Sequence, residues 1–226
     1  MKVRRETLRR VFYLFSLFLV LGMTLCLFSS VGAEQKPTLI IMPFFVEKGD
    51  APQRGAVCPL CKGIYRKGEI LTIGPVILKR LLCPKMEALN LFEVTPPEKV
   101  DEVLSPRRRQ EMELSPLASS IRFGREMNVR FLLVGFLFRF EEREGSSLGV
   151  EKPASVGFDL HLIRMRDGKL VWEAKFDETQ QPLSENILKI GAFLRRKASW
   201  LTAEELASVG MDEILSRFPG LDKIEE

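Results

Sequence analysis

Histidine occurs once in these 226 residues, at position 161. A Ser-His-Asp or Cys-His nucleophile would have to be built around that single imidazole. No HExxH pair stands in the chain for a catalytic zinc, and no glycine-rich run stands between a strand and a helix to cradle phosphate. The acidic run Glu141-Glu142-Arg143-Glu144 reads as a solvated turn rather than an acid/base pair. Neither a catalytic residue nor a cofactor follows from this inventory, so enzyme activity is not expected. His161 reads as a structural residue on the less buried face of a strand.

Excess positive charge is also missing from the body of the chain. The first 33 residues hold five of the 34 basic residues and one of the 30 acidic ones, which leaves 29 of each from Glu34 onward. A nucleic-acid footprint needs a clustered positive surplus, and Arg107-Arg108-Arg109 after Pro106 reads as a solvated loop instead. No nucleic-acid partner is expected.

What the N-terminus does have is the order of a secretory signal. Lys2, Arg4, Arg5, Arg9 and Arg10 precede an uncharged stretch from Val11 to Phe28, and Val31-Gly32-Ala33 closes it with small residues. That order predicts a signal peptide over residues 1–33, cut between Ala33 and Glu34, with the rest of the chain translocated. The apolar stretch is also near the length of a spanning helix, and membrane contact is expected only through this segment if it stays uncleaved. Cys26 follows Leu25, with Met23 before it, which does not fit a lipidation site. Residues 34–226 then suit one domain with a sizeable core.

The body reads as an α/β chain. Thr38 to Val46 is a continuous apolar run around Pro43, expected to form a buried strand ending near the proline. A loop rich in Gly, Pro and charge spans 47–72. Gly74-Pro75 opens a helix with an apolar face at Ile77, Leu78, Leu81, Leu82, Met86 and Leu89, and Pro84 should kink or split it. Phe92 to Val94 is a short strand, Pro97 begins a helix, and Ser115-Pro116 caps another. Arg130 to Phe140 is the strongest strand. Val156, Phe158, Leu160 and Leu162 alternate with Gly157, Asp159, His161 and Ile163, then Asp167-Gly168 turns into the alternation of Leu170, Trp172, Ala174 and Phe176. That is a hairpin. Helices follow from Ile187 and from Ala203, the second with Thr202 and Glu205 in capping-box spacing. The order predicts a mixed sheet, parallel in its N-terminal half and an antiparallel meander in its C-terminal half, covered by helices.

Chemistry concentrates in Cys58-Pro59-Leu60-Cys61, within the 47–72 loop, and in Cys83. An exported chain meets oxidants, so a Cys58–Cys61 disulfide is expected, with Cys83 buried and reduced on its helix. A bridge from either cysteine to Cys83 would close a loop of about 25 residues and contribute about 3.5 kcal/mol, against about 2 for the short loop. A zinc site is the metal alternative, and Cys83 and His161 would have to join Cys58 and Cys61 from distant elements. A thioredoxin-like redox pair would want a helix right after a strand, which Gly63 and Gly68 interrupt. Haem attachment would want His rather than Lys62 after Cys61.

Three phrases carry a resemblance: Thr38-Leu39-Ile40-Ile41-Met42-Pro43-Phe44 as first strand, Gly124 to Gly135 as a helix-to-strand passage, and Asp167-Gly168-Lys169-Leu170-Val171-Trp172-Glu173 as hairpin. With the element order, they resemble a group of bacterial envelope proteins. The group comprises the curli secretion channel subunit, the lipoprotein activators of penicillin-binding proteins, and the N-terminal domain of the Tol translocation protein. The resemblance covers roughly residues 38–180. It implies a non-catalytic domain that binds an envelope protein partner, with a homo-oligomer also open. The chain departs from the group in three respects: it lacks a mature N-terminal cysteine, it lacks long transmembrane hairpins, and its CxxC loop lies outside the match. The expected function is that of an exported accessory protein acting through protein contacts at the periplasm or outer membrane. The alternative expectation is a thiol–disulfide or zinc-binding protein centred on Cys58 and Cys61.

Overall fold

In the computed structural model, which describes residues 35–47, 55–147, 149–181 and 200–226, the apolar run at Thr38 becomes two strands rather than one. Strand β1 (Thr38–Ile41) stops before Pro43, which has no N–H to give a ladder, and β2 (Phe45–Val46) resumes after it. Both pair in parallel with the same later strand, Leu39 opposite Phe131 and Phe45 opposite Phe136. The expected 47–72 loop also contains a small antiparallel pair, β3 (Ala56–Val57) and β4 (Ile64–Tyr65).

Helix α1 (Gly74–Ala88) carries Pro75 in its first turn and runs unbroken past Pro84, as one helix and not two. After β5 (Glu93–Val94) come α2 (Pro97–Val103), α3 (Pro106–Leu114) and α4 (Pro116–Glu126). The sequence reading missed α3. Ser105 caps it, its hydroxyl accepting from the Arg108 N–H at 3.3 Å, so the arginine run is a first helical turn and not a loop. Those arginines are paired with Glu111, Glu126 and Asp101.

The long strand β6 (Phe131–Glu141) is followed by the short pair β7 (Glu144–Gly145) and β8 (Val150–Lys152). Next comes the hairpin β9 (Ser155–Arg164) and β10 (Lys169–Thr179), turning at Gly168 with φ 71°. Helices α5 (Ala203–Leu215) and α6 (Leu221–Glu225) end the chain. The export segment with its Ala33–Glu34 junction, and the helix expected from Ile187, lie outside the described residues. Among the described residues no helix is long and apolar enough to cross a membrane.

The main sheet runs β10-β9-β6-β1-β5, with β2 beside β6. The β5, β1 and β6 contacts are parallel; β6 with β9 and β9 with β10 are antiparallel. The expected mixed sheet is present, and period-2 alternation divides its side chains between two cores. On one face Leu39, Ile41, Leu133, Phe158, Leu160 and Leu162 pack with Leu78, Leu82 and Met86 of α1 and Leu206 and Met211 of α5. On the other, Ile40, Met42, Leu132, Val134 and Phe136 pack with Val100 of α2, Met112 of α3, Phe123 of α4 and the β3–β4 residues Ala56, Cys58 and Tyr65. Gly135 is needed between them, because a Cβ there would stand 2.5 Å from the Phe44 ring.

The N-terminus of α5 is capped twice. Thr202 and Glu205 complete a capping box, and the Glu142 carboxylate accepts from the Ala203 N–H at 3.2 Å. Glu142 is exposed just past the end of β6, as the solvated run was expected to be, and its carboxylate also serves as a cap; an anion at a helix N-terminus is favourable. Thr202→Ala is expected to lower stability by about 1 kcal/mol, measured by urea unfolding. Ser115→Ala should change little, since Ser115 makes no side-chain cap to α4.

Candidate functional site

Strand β9 is buried on both faces. The face carrying Phe158, Leu160 and Leu162 enters an apolar core. The opposite face presents Asp159 and His161, two residues apart and therefore side by side. The β3–β4 hairpin accounts for their burial: its inner residues Ala56 and Tyr65 and the adjoining Cys58 fold against this side of the sheet. His161 is 0% exposed and Asp159 1%. The expectation that His161 lies on a less buried face is thereby corrected; the covering hairpin, remote in sequence, is the reason.

The fold thus brings four potential ligands together. One ligand atom from each of Cys58, Cys61, Asp159 and His161 lies within 4.8 Å of the others. Cys58 Sγ is 3.6 Å from His161 Nε2, and Cys61 Sγ is 3.8 Å from Asp159 Oδ2. His161 Nδ1 and Asp159 Oδ1 are 3.5 Å apart, and neither has a hydrogen-bond partner. Cys58, Cys61 and Cys83 are free cysteines. Cys83, named with the other three as an alternative ligand, sits on α1 in the opposite core. Asp159 occupies the place in the cluster that the sequence reading gave to Cys83.

Local structure orients both sulfurs. Leu60 and Cys61 N–H groups donate to Cys58 Sγ at 3.4 and 3.5 Å, and the Gly63 N–H donates to Cys61 Sγ at 3.4 Å. Lys62 adopts φ 61°, and the turn closes through Cys58 N–H to Gly63 O at 2.9 Å. The Tyr65 hydroxyl donates to Asp159 Oδ2 at 2.8 Å, and its ring stacks on Phe138 at 3.8 Å. The Lys175 ammonium lies 4.1 Å over the same ring.

Burial governs the protonation of the cluster. It pushes the Asp159 carboxyl up to about 6 and the His161 imidazole down to about 4. Burial, and then the negative charge of Asp159, raises the Cys58 thiol well above its ordinary range. The Tyr65 phenol is raised by burial in the same way.

Sequence reasoning missed Asp159. Its signal is visible in retrospect: Asp-x-His at period 2 in an otherwise apolar strand places two polar side chains on one face.

No protein-family model matches the chain, and no curated protein matches it by sequence. Solved structures are similar to it in fold. PelC from Paraburkholderia phytofirmans, crystallised as a dodecamer, is 12% identical with a TM-score of 0.43, over 80% of this chain and 86% of PelC. Lipoprotein GNA1162 from Neisseria meningitidis is 14% identical with a TM-score of 0.40, over 72% and 98%. The C-terminal domain of LpoB from Escherichia coli is 12% identical with a TM-score of 0.34, over 70% and 94%. Of the three groups that the sequence resembles, one, the LpoB-like lipoprotein activators of penicillin-binding proteins, is represented among these similar structures.

Proposed function

We propose that the chain is an exported, non-catalytic accessory protein of the cell envelope. It acts by contact with another envelope protein, in outer-membrane or cell-wall assembly or secretion. Export rests on the basic, apolar and small-residue zones of residues 1–33.

The observation that carries contact rather than catalysis is a reversal of the usual polarity of a site. The ligand-type side chains Cys58, Asp159 and His161 are shut inside, where no substrate reaches them, while large apolar side chains stand outside. Val57 and Ile64 are directly opposite each other across β3 and β4, 47% and 65% exposed. Ile73 and Val76, at the start of α1, are also exposed. A surface cleft of about 350 Å³ between α3 and α4 offers no rival. Its Arg107, Arg108 and Arg122 are already paired with Glu111 and Glu126.

A photoreactive amino acid placed at Val57 or Ile64 should give one discrete adduct with an envelope protein in intact cells. The same probe at exposed Leu114 should give none. Equal labelling at all three positions, or none anywhere, would count against a specific contact.

A further inference from the structure

The geometry points to a structural zinc site formed by Cys58, Cys61, Asp159 and His161. Three independent features converge on it. The first is spacing. Tetrahedral zinc with Zn–S near 2.3 Å and Zn–N or Zn–O near 2.0–2.1 Å holds its ligand atoms about 3.3–3.8 Å apart. The cluster shows 3.6 Å between Cys58 Sγ and His161 Nε2 and 3.8 Å between Cys61 Sγ and Asp159 Oδ2, and it all lies within 4.8 Å.

The second is the donor set. Two sulfurs, one imidazole and one carboxylate suit zinc, whereas calcium and magnesium take oxygen ligands. Backbone N–H groups of Leu60, Cys61 and Gly63 already point at the two sulfurs and fix their direction. Tyr65 fixes the carboxylate through Oδ2, the kind of outer support that metal ligands commonly have.

The third is unmet need. Asp159 Oδ1 and His161 Nδ1 are buried without a hydrogen-bond partner, and such groups are costly in an apolar interior. A Cys58–Cys61 disulfide would use the two sulfurs and leave Asp159 and His161 stranded. Zinc uses all four. On binding, the ion displaces the two thiol protons and coordinates a carboxylate and a neutral imidazole, with no change of oxidation state. Cys58, Asp159 and His161 are shut off from solvent, so the site is closed, as structural zinc sites are. Its effect is to fasten the β3–β4 hairpin to the middle of β9.

The test is metal analysis of the full chain, purified from cells without chelator, combined with peptide mapping under non-reducing conditions. About one zinc per chain is expected, with Cys58 and Cys61 unlinked. Asp159→Asn and His161→Gln should each reduce retained zinc about tenfold or more, and Cys83→Ser should retain it in full. Should either ligand variant fail to fold, cobalt exchanged into the wild-type chain decides the matter. The absorption of tetrahedral cobalt with thiolate charge transfer supports the site, and its absence overturns it. A Cys58–Cys61 disulfide in the isolated chain overturns it as well, as does zinc that persists in folded ligand variants.

Discussion

Arg139→Met is expected to cost the fold about 3–5 kcal/mol, because it breaks a buried charge pair from one side. The Arg139 side chain is 3% exposed and meets Asp177 Oδ1 at 2.6 Å. The same guanidinium donates to Ser155 Oγ at 2.6 Å, to the Arg66 carbonyl at 2.7 Å and to the Val156 carbonyl at 3.3 Å. Methionine fills much of the volume and supplies none of these donors. Asp177 would keep the Arg66 backbone N–H at 3.3 Å and the longer contacts to the Arg66 side chain at 3.6 Å and Lys175 at 3.9 Å. Arg139→Lys should recover only part of the loss, since an ammonium cannot reach four acceptors in a plane. Urea unfolding checks this: the midpoint should fall while the slope stays the same. Adding Asp177→Leu to Arg139→Met should return some stability by removing the stranded carboxylate. A double variant no better than the single would contradict the pairing.

The second large effect is expected at Phe158, with Phe158→Ala lowering stability by about 3–5 kcal/mol. Phe158 is 0% exposed in the middle of β9. Its ring meets Phe44 edge-on at 6.3 Å and Phe176 at 5.5 Å. Phe44 is itself seated over Gly135, and Phe176 against Gly210. Neither ring can slide far into the gap without leaving the backbone it covers. The cavity should therefore persist, and a persistent cavity is what makes such truncations severe. Phe158→Leu, which refills most of the space, should retain most of the stability. Thermal unfolding of the two variants side by side provides the comparison.

The parts of this fold legible in the sequence are those that short-range rules control. Asp167-Gly168 between alternating runs specified the β9–β10 hairpin, and Thr202 with Glu205 specified the start of α5. The apolar stretch from Phe131 announced a strand covered on both faces. Helix α3 was obscured because only Met112 of its nine residues is buried; its remaining support is a serine cap and ion pairs that no apolar period reveals. The cysteine cluster was half legible. Cys58-x-x-Cys61 declares two ligands by spacing. Asp159 and His161 declare themselves only once it is known which layer lies over their face of β9. That depends on where a hairpin about a hundred residues earlier comes to rest, which no local pattern encodes.

Strand order has one more consequence, for how the molecule tolerates being cut. The first strand among the described residues, β1, lies inside the sheet between β5 and β6. Without it β5 would have no neighbour, and β6 would offer a row of unpaired backbone groups flanked by buried apolar side chains. An uncovered edge of that kind is a template for joining other chains. The chain therefore has no seam between a parallel half and an antiparallel half. Strand β1 is the inner partner that keeps the apolar strand β6 from becoming a site of aggregation.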